Sequence, residues 1–133
     1  MRPFRELRVA EAAHALVLAV YGATRSFPRE EWFGLTSQMR RSAASIPMNI
    51  AEGSARTDNE FHHFLRIALG SAAELEYQFI LARDLGYIPE TQYDSLTKDL
   101  TSVKSMLVQF MKRVRTDDRQ RPTANGQPPE ASE

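Results

Sequence analysis

With 133 residues the chain can build one domain around one core and is too short for two ordinary domains. Hydrophobic residues at 42% and charged residues at 26% exclude wholesale disorder, and 17 basic residues against 17 acidic ones exclude a polycationic protein. The lack of cysteine excludes disulfides and thiolate metal sites and fits a cytoplasmic protein.

The first stretch, MRPFRELRVAEAAHALVLAVYGA, is basic and then apolar, the order found in signal peptides. Glu6, Glu11 and His14 interrupt the apolar run, however. Val9, Ala13, Leu16 and Val20 share one helical face, with Val17 beside them. This spacing predicts an amphipathic helix from about Glu6 to Thr24. No run reaches the roughly 18 apolar residues of a membrane span, so no membrane partner is expected. Ser26, Phe27 and Pro28 end this helix. Pro28 suits the first position of the next one, with Glu30 and Glu31 in its positive first turn.

The second helix is expected to continue to about Gly53, and its pattern is unusual. Trp32, Leu35, Met39, Ser42, Ile46, Asn49 and Gly53 follow in steps of three and four, which puts polar residues on an apolar seam. Pro47 stands one step off the seam. It removes the donor that the Ala43 carbonyl would otherwise meet, at a cost of roughly 3 kcal/mol in an unadapted helix. The small residues from Ser42 to Ser45 let another helix approach, and the two serine hydroxyls are candidates for the freed carbonyl.

Thr57 and Glu60 form a capping-box pattern that starts a third helix. Phe61, Leu65, Ala68, Ala72, Leu75, Phe79 and Ala82 then repeat at four and three, and Gly86 supplies a left-handed cap after Leu85. Leu69, Tyr77 and Ile80 lie to one side of that seam and Ile67 and Leu81 to the other. This is more apolar surface than one core uses, which predicts a neighbouring subunit. Pro89 opens a fourth helix, in which Tyr93, Leu96, Leu100, Val103, Leu107, Phe110 and Val114 keep the same alternation to about Arg115. The remaining stretch has three prolines and no large hydrophobe, so residues 1–116 are read as the folded domain and 117–133 as a disordered tail. Helices of up to about 25 residues joined by short turns imply an all-α, antiparallel up-down-up-down four-helix bundle.

Three blocks also carry a resemblance. Ser45 to Gly53 (SIPMNIAEG), Phe27-Pro28-x-Glu30-Glu31 with Gly34-Leu35-x-x-Gln38, and Gly70 to Glu76 (GSAAELE) resemble the bacterial S23 or 23S rRNA intervening-sequence proteins. The match runs from about Phe4 to about Arg115. It implies a four-helix bundle, a homo-oligomeric ring, often a pentamer, and no established enzymatic activity. A branch of the family, the accessory proteins of diversity-generating retroelements, forms strongly basic rings that associate with a reverse transcriptase and nucleic acid. This chain departs from that branch in its zero formal charge.

Candidate sites follow from the same pattern. Glu11 with His14 and Glu60 with His63 have di-iron spacing, but neither pair points inward on its helix, so no metal is expected. No catalytic group or cofactor is expected either. Ser42, Asn49, Glu52 and Glu74 are candidates for a buried polar network that sets helix register and subunit geometry, because no nucleophile and base are spaced around them. Arg40 and Arg41 are left open between pairing with those glutamates and facing outward as solvated charges or ligand contacts. An antiparallel bundle would gather Arg2, Arg5, Arg8, Arg56, Lys112, Arg113, Arg115, Arg119 and Arg121 at one pole. Glu6, Glu52, Asp58, Glu60, Asp117 and Asp118 would lie among them. The first seven cations are candidate contacts for RNA or DNA. The sequence therefore supports an oligomeric interaction module, with a nucleic-acid accessory protein as the alternative.

Overall fold

The computed structural model describes residues 3–4 and 7–119, with side chains as far as Val114; among these residues it has four α-helices and no strand. Arg2 and Arg5, the side chain of Arg115, and residues 120–133 lie outside that range. Helix α1 (Arg8–Thr24) buries Val9, Ala13, Leu16 and Val20, as the spacing predicts, together with Ala10 and Ala23.

The second helix begins later than Pro28. A single 3-10 turn, Arg29–Glu31, follows the proline, and α2 (Leu35–Ser54) starts only after Gly34. The cause is a carboxylate. Glu31 Oε1 accepts a hydrogen bond from the Leu35 backbone N–H at 3.0 Å, the service that an N-cap side chain gives, while its Oε2 accepts from the Tyr87 hydroxyl at 2.8 Å. These two bonds hold the Glu31 carboxyl below its ordinary pKa, the backbone bond contributing most. Trp32 is consequently not on the seam: it is 55% exposed.

From Leu35 onward the predicted seam holds except at Asn49, which is half-buried. Leu35, Met39, Ser42, Ile46 and Gly53 are buried, joined by Ala43 and Ile50. Pro47 is carried inside α2 without ending it. At Gly53 the backbone meets the next helix so closely that a Cβ would lie 2.7 Å from Phe61 Cδ1 and 2.8 Å from Phe64 Cβ. Any side chain there would force Phe61 and Phe64 to shift.

Thr57 starts α3 (Asp58–Asp84) as its capping box predicts. The Thr57 hydroxyl accepts from the Glu60 backbone N–H, and the Glu60 carboxylate accepts from the Thr57 N–H at 3.2 Å. The Thr57 N–H bond, and after it a bond from the Thr57 hydroxyl to the same carboxylate, lower the pKa of Glu60. Gly86, at φ 80°, turns the chain out of the helix, and α4 (Glu90–Arg119) follows Pro89, its backbone helical past the expected end near Arg115.

The core is the sum of the apolar strips. Phe61, Leu65, Ala68, Ala72, Leu75, Phe79 and Ala82 of α3 are fully buried and pack with Leu96, Leu100, Val103, Leu107 and Val114 of α4. Helix α1 packs against α2 and α4, and α3 packs against the same two. Cross-contacts fix the register: Ser45 with Ser71, Gly53 with Phe61, Phe61 with Phe110, and Glu76 with Lys104.

Candidate functional site

Pro47 and its small neighbours produce a polar contact between α2 and α3. The Ser45 and Ser71 hydroxyls lie 2.8 Å apart, and Asn49 Nδ2 donates to both the carbonyl and the hydroxyl oxygen of Ser45, at 2.7 and 3.0 Å. The Ser45 hydroxyl, a candidate partner for the Ala43 carbonyl, is thus engaged with Ser71 and Asn49. Ser42 is buried beside this contact, and Asn49 is half-buried.

The other two candidates for that network lie elsewhere. Glu52 is exposed and pairs with Arg56 on its own helix, and Glu74 is exposed on α3. The physical reason is helical phase. Met48 and Glu52 continue the outward strip of α2 that includes Arg41 and Ser45, while Glu74 continues one exposed strip of α3 that holds Ile67, Gly70 and Tyr77. Tyr77 and Ile67 thus share a face where opposite sides of the seam were expected, and Leu69, Ile80 and Leu81 are half-buried. Within one chain, therefore, the polar contact consists of the half-buried Ser45 and Asn49 and the buried Ser71. Ser71 was not among the candidates, although its place in the GSAAELE block one step before core Ala72 was a usable signal.

The expected basic pole is partly assembled. Arg8 lines an open groove with Leu7, Phe110, Lys112 and Arg113, and the Arg113 guanidinium lies 5.0 Å from the Phe110 ring centre. Arg56 is exposed, but it bonds Glu52 and lies over the Phe64 ring at 5.5 Å.

A second cationic cluster, left open by the sequence, forms around Arg40. Its Nε donates to the Thr24 hydroxyl at 2.9 Å, and its guanidinium lies 4.5 Å from the Tyr21 ring centre and 5.3 Å from that of Trp32. Arg40 is half-buried and Arg41 exposed, and neither pairs with Glu52 or Glu74. Phe33 stands next to them at 93% exposure. The sequence pattern missed this cluster because Trp32 kept helical spacing with Leu35; Gly34, directly after the apolar pair, was the signal for a break.

The carboxylates and histidines stay apart. Glu11, His14 and His63 are exposed, Glu60 is occupied by its capping box, and no group of three or more ligating side chains converges among the described residues. No described helix is long and apolar enough to cross a membrane.

Residues 5–109 match the family model for the 23S rRNA-intervening sequence protein. The chain belongs to that family. It is similar to the crystal structure of a protein of unknown function from the S23 ribosomal protein family of Bacteroides thetaiotaomicron, with 27% identity and a TM-score of 0.72. That likeness covers 78% of this chain and 95% of that one. No curated protein matches. The family blocks fall on structural elements already described: Ser45 to Gly53 includes the polar contact and the close approach to α3, and Glu31 is the carboxylate that starts α2.

Proposed function

We propose that this family member is a non-enzymatic interaction module that works as a homo-oligomer, an antiparallel up-down-up-down bundle assembled into a ring, with a pentamer as the expected state. The antiparallel order is supported by the cross-contacts, in which residue number rises along one helix as it falls along the next: Ser45 with Ser71 and Gly53 with Phe61, then Phe61 with Phe110 and Glu76 with Lys104. Residues 1–116 are the assembling unit in this reading, with the α4 backbone running past them to Arg119. The cysteine-free composition is in keeping with a cytoplasmic setting.

The observation that carries self-assembly is the outer face of α2 and α3. Met48 is 66% exposed, Tyr77 62% and Ile67 40%, and Gly70, with open space around it, leaves room for close approach. Large apolar side chains clustered on one side mark an interaction surface more often than ordinary solvent-facing helix. Glu52 and Glu74 lie on the same two strips, so a second copy seated here would cover them and extend the polar contact of Ser45, Asn49 and Ser71 across the interface. Three further carboxylates are spent on structure. Glu31 and Glu60 start helices, and Glu76 pairs with Lys104. Tyr77→Glu tests the reading, since it adds a charge to an exposed position. Helical content is expected to stay the same while sedimentation shifts toward the monomer; an unshifted distribution would count against this face.

A second reading, an accessory protein that binds nucleic acid as an rRNA intervening-sequence or reverse-transcriptase partner, is supported by the uneven placement of the arginines on a chain of zero net charge. Retention of RNA or DNA at about 150 mM salt, where screening acts over roughly 8 Å, is its test.

A further inference from the structure

The turn between α1 and α2 holds Trp32 and Phe33 out as an aromatic ridge with an open cleft on each side. One cleft, about 350 Å3, has Tyr21, Arg40 and Arg41 in its wall; the other, about 450 Å3, has Thr24, Arg25 and Arg29. Trp32, Phe33 and Thr36 line both. The ridge is braced from behind, because Glu31 is bonded to Leu35 and Tyr87, and Phe27 packs on the Tyr87 ring at 5.3 Å. Arg40 is braced in turn by Thr24, Tyr21 and Trp32. The ion pairs among the described residues all lie away from Arg25, Arg29 and Arg41, and the carboxylate in this region that is not committed to structure is the exposed Glu30.

Exposed π faces with guanidinium groups on both sides fit a ligand in which aromatic rings alternate with phosphates. We propose that this ridge binds single-stranded nucleic acid. Bases stack on Phe33 and Trp32, and successive phosphates meet Arg40 and Arg41 on one side and Arg25 and Arg29 on the other. A free nucleotide would fill one cleft and leave the other empty, whereas a strand crossing the ridge uses both. A duplex keeps its base faces stacked inside and offers none to Phe33. This inference rests on the second, nucleic-acid reading and not on self-assembly. It places the contact at the far end of α1 from the Arg8, Lys112 and Arg113 groove.

Trp32 is the sole tryptophan, so its fluorescence reports directly on the ridge. The full chain is titrated with mixed-sequence 12-nucleotide single strands of RNA and of DNA, with the matching duplex and with adenosine monophosphate, following Trp32 quenching and the anisotropy of the labelled strand. Both single strands are expected to quench Trp32 and to bind alike, with the duplex and the mononucleotide at least tenfold weaker. Phe33→Ala should weaken strand binding about tenfold, the scale of one lost base stack. Arg41→Gln and Arg29→Gln should each lower the salt slope by about one, and Lys112→Gln with Arg113→Gln should leave it unchanged. No binding at about 150 mM salt overturns the site together with the nucleic-acid reading. Binding lost with Lys112 and Arg113 but kept in Phe33→Ala overturns the site and retains that reading. Equal binding of duplex or mononucleotide overturns the strand assignment, and dissociation of an oligomer by Phe33→Ala with strand binding per chain unchanged makes Phe33 a self-contact and overturns it too.

Discussion

Two phenylalanines show how differently the two ends of α2 are built. Phe61, packed beside Gly53 at the end of α2, is fully buried with its ring 5.3 Å from that of Phe110; Phe33, just before α2 begins, is almost entirely in solvent. Each stands in a run whose apolar spacing looks helical. The difference is what lies opposite. Gly53 lets α3 come within contact of α2, so the apolar strip there has another strip to meet, whereas the Glu31 carboxylate breaks the helix before Leu35 and turns Trp32 and Phe33 away from the core. Apolar periodicity buries residues only where a neighbouring element is brought within reach.

The largest expected effect comes from the buried partner. Phe61→Ala removes a ring with no solvent exposure and should cost about 3–5 kcal/mol, read as a lower urea midpoint with an unchanged slope. A loss under about 1 kcal/mol would mean that the α2–α3 contact can collapse around the gap, and that this end is no tighter than the other.

Gly53→Ala sharpens the same point. Alanine is the better helix former by roughly 1 kcal/mol, but its Cβ would meet two Phe61 and Phe64 atoms inside 3.0 Å, and overpacking typically costs about 1–3 kcal/mol. The net expectation is a loss of about 1 kcal/mol in the denaturation midpoint experiment. A gain would show that the helices separate freely there.

At the other end of α2, Glu31→Gln should destabilise the fold at neutral pH by less than either change. The native carboxyl has a pKa below its ordinary value because the Leu35 N–H and the Tyr87 hydroxyl favour the charged form. Its contribution is therefore complete above the unfolded carboxylate pKa of about 4.3 and is lost as pH falls through the lower folded value. Thermal melts of the two proteins should differ at pH 7 and converge in that acidic window. A difference that persists below it would point to packing of the side chain and away from its charge. Smallest of all, Phe33→Ala should alter stability by no more than about 0.5 kcal/mol, because the ring it removes is already in water.

Much of this was legible in the chain. The α3 and α4 strips, the Thr57–Glu60 box and the Gly86 turn depend on local spacing and local hydrogen bonds, which sequence states directly. The start of α2 was not, because its cap is supplied by Glu31 from before the glycine and is held by Tyr87, a residue far away in sequence. The polar candidates divided as well. Asn49 reached Ser45 one turn back on its own helix, as periodicity allows, but Glu52 and Glu74 fall on the outward strips of α2 and α3 and are exposed. The Arg40 cluster required three separate elements, Tyr21 and Thr24 on α1, Trp32 in the turn and Arg40 on α2, and no spacing within one element announces it.

The central claim is that the face carrying Met48, Ile67 and Tyr77 is covered by further copies of the chain. Multi-angle light scattering of the purified protein at micromolar concentration tests it most directly. The account predicts one species whose mass is a whole multiple of the 15.1 kDa chain, with five copies as the expected number; a stable 15.1 kDa monomer would contradict it.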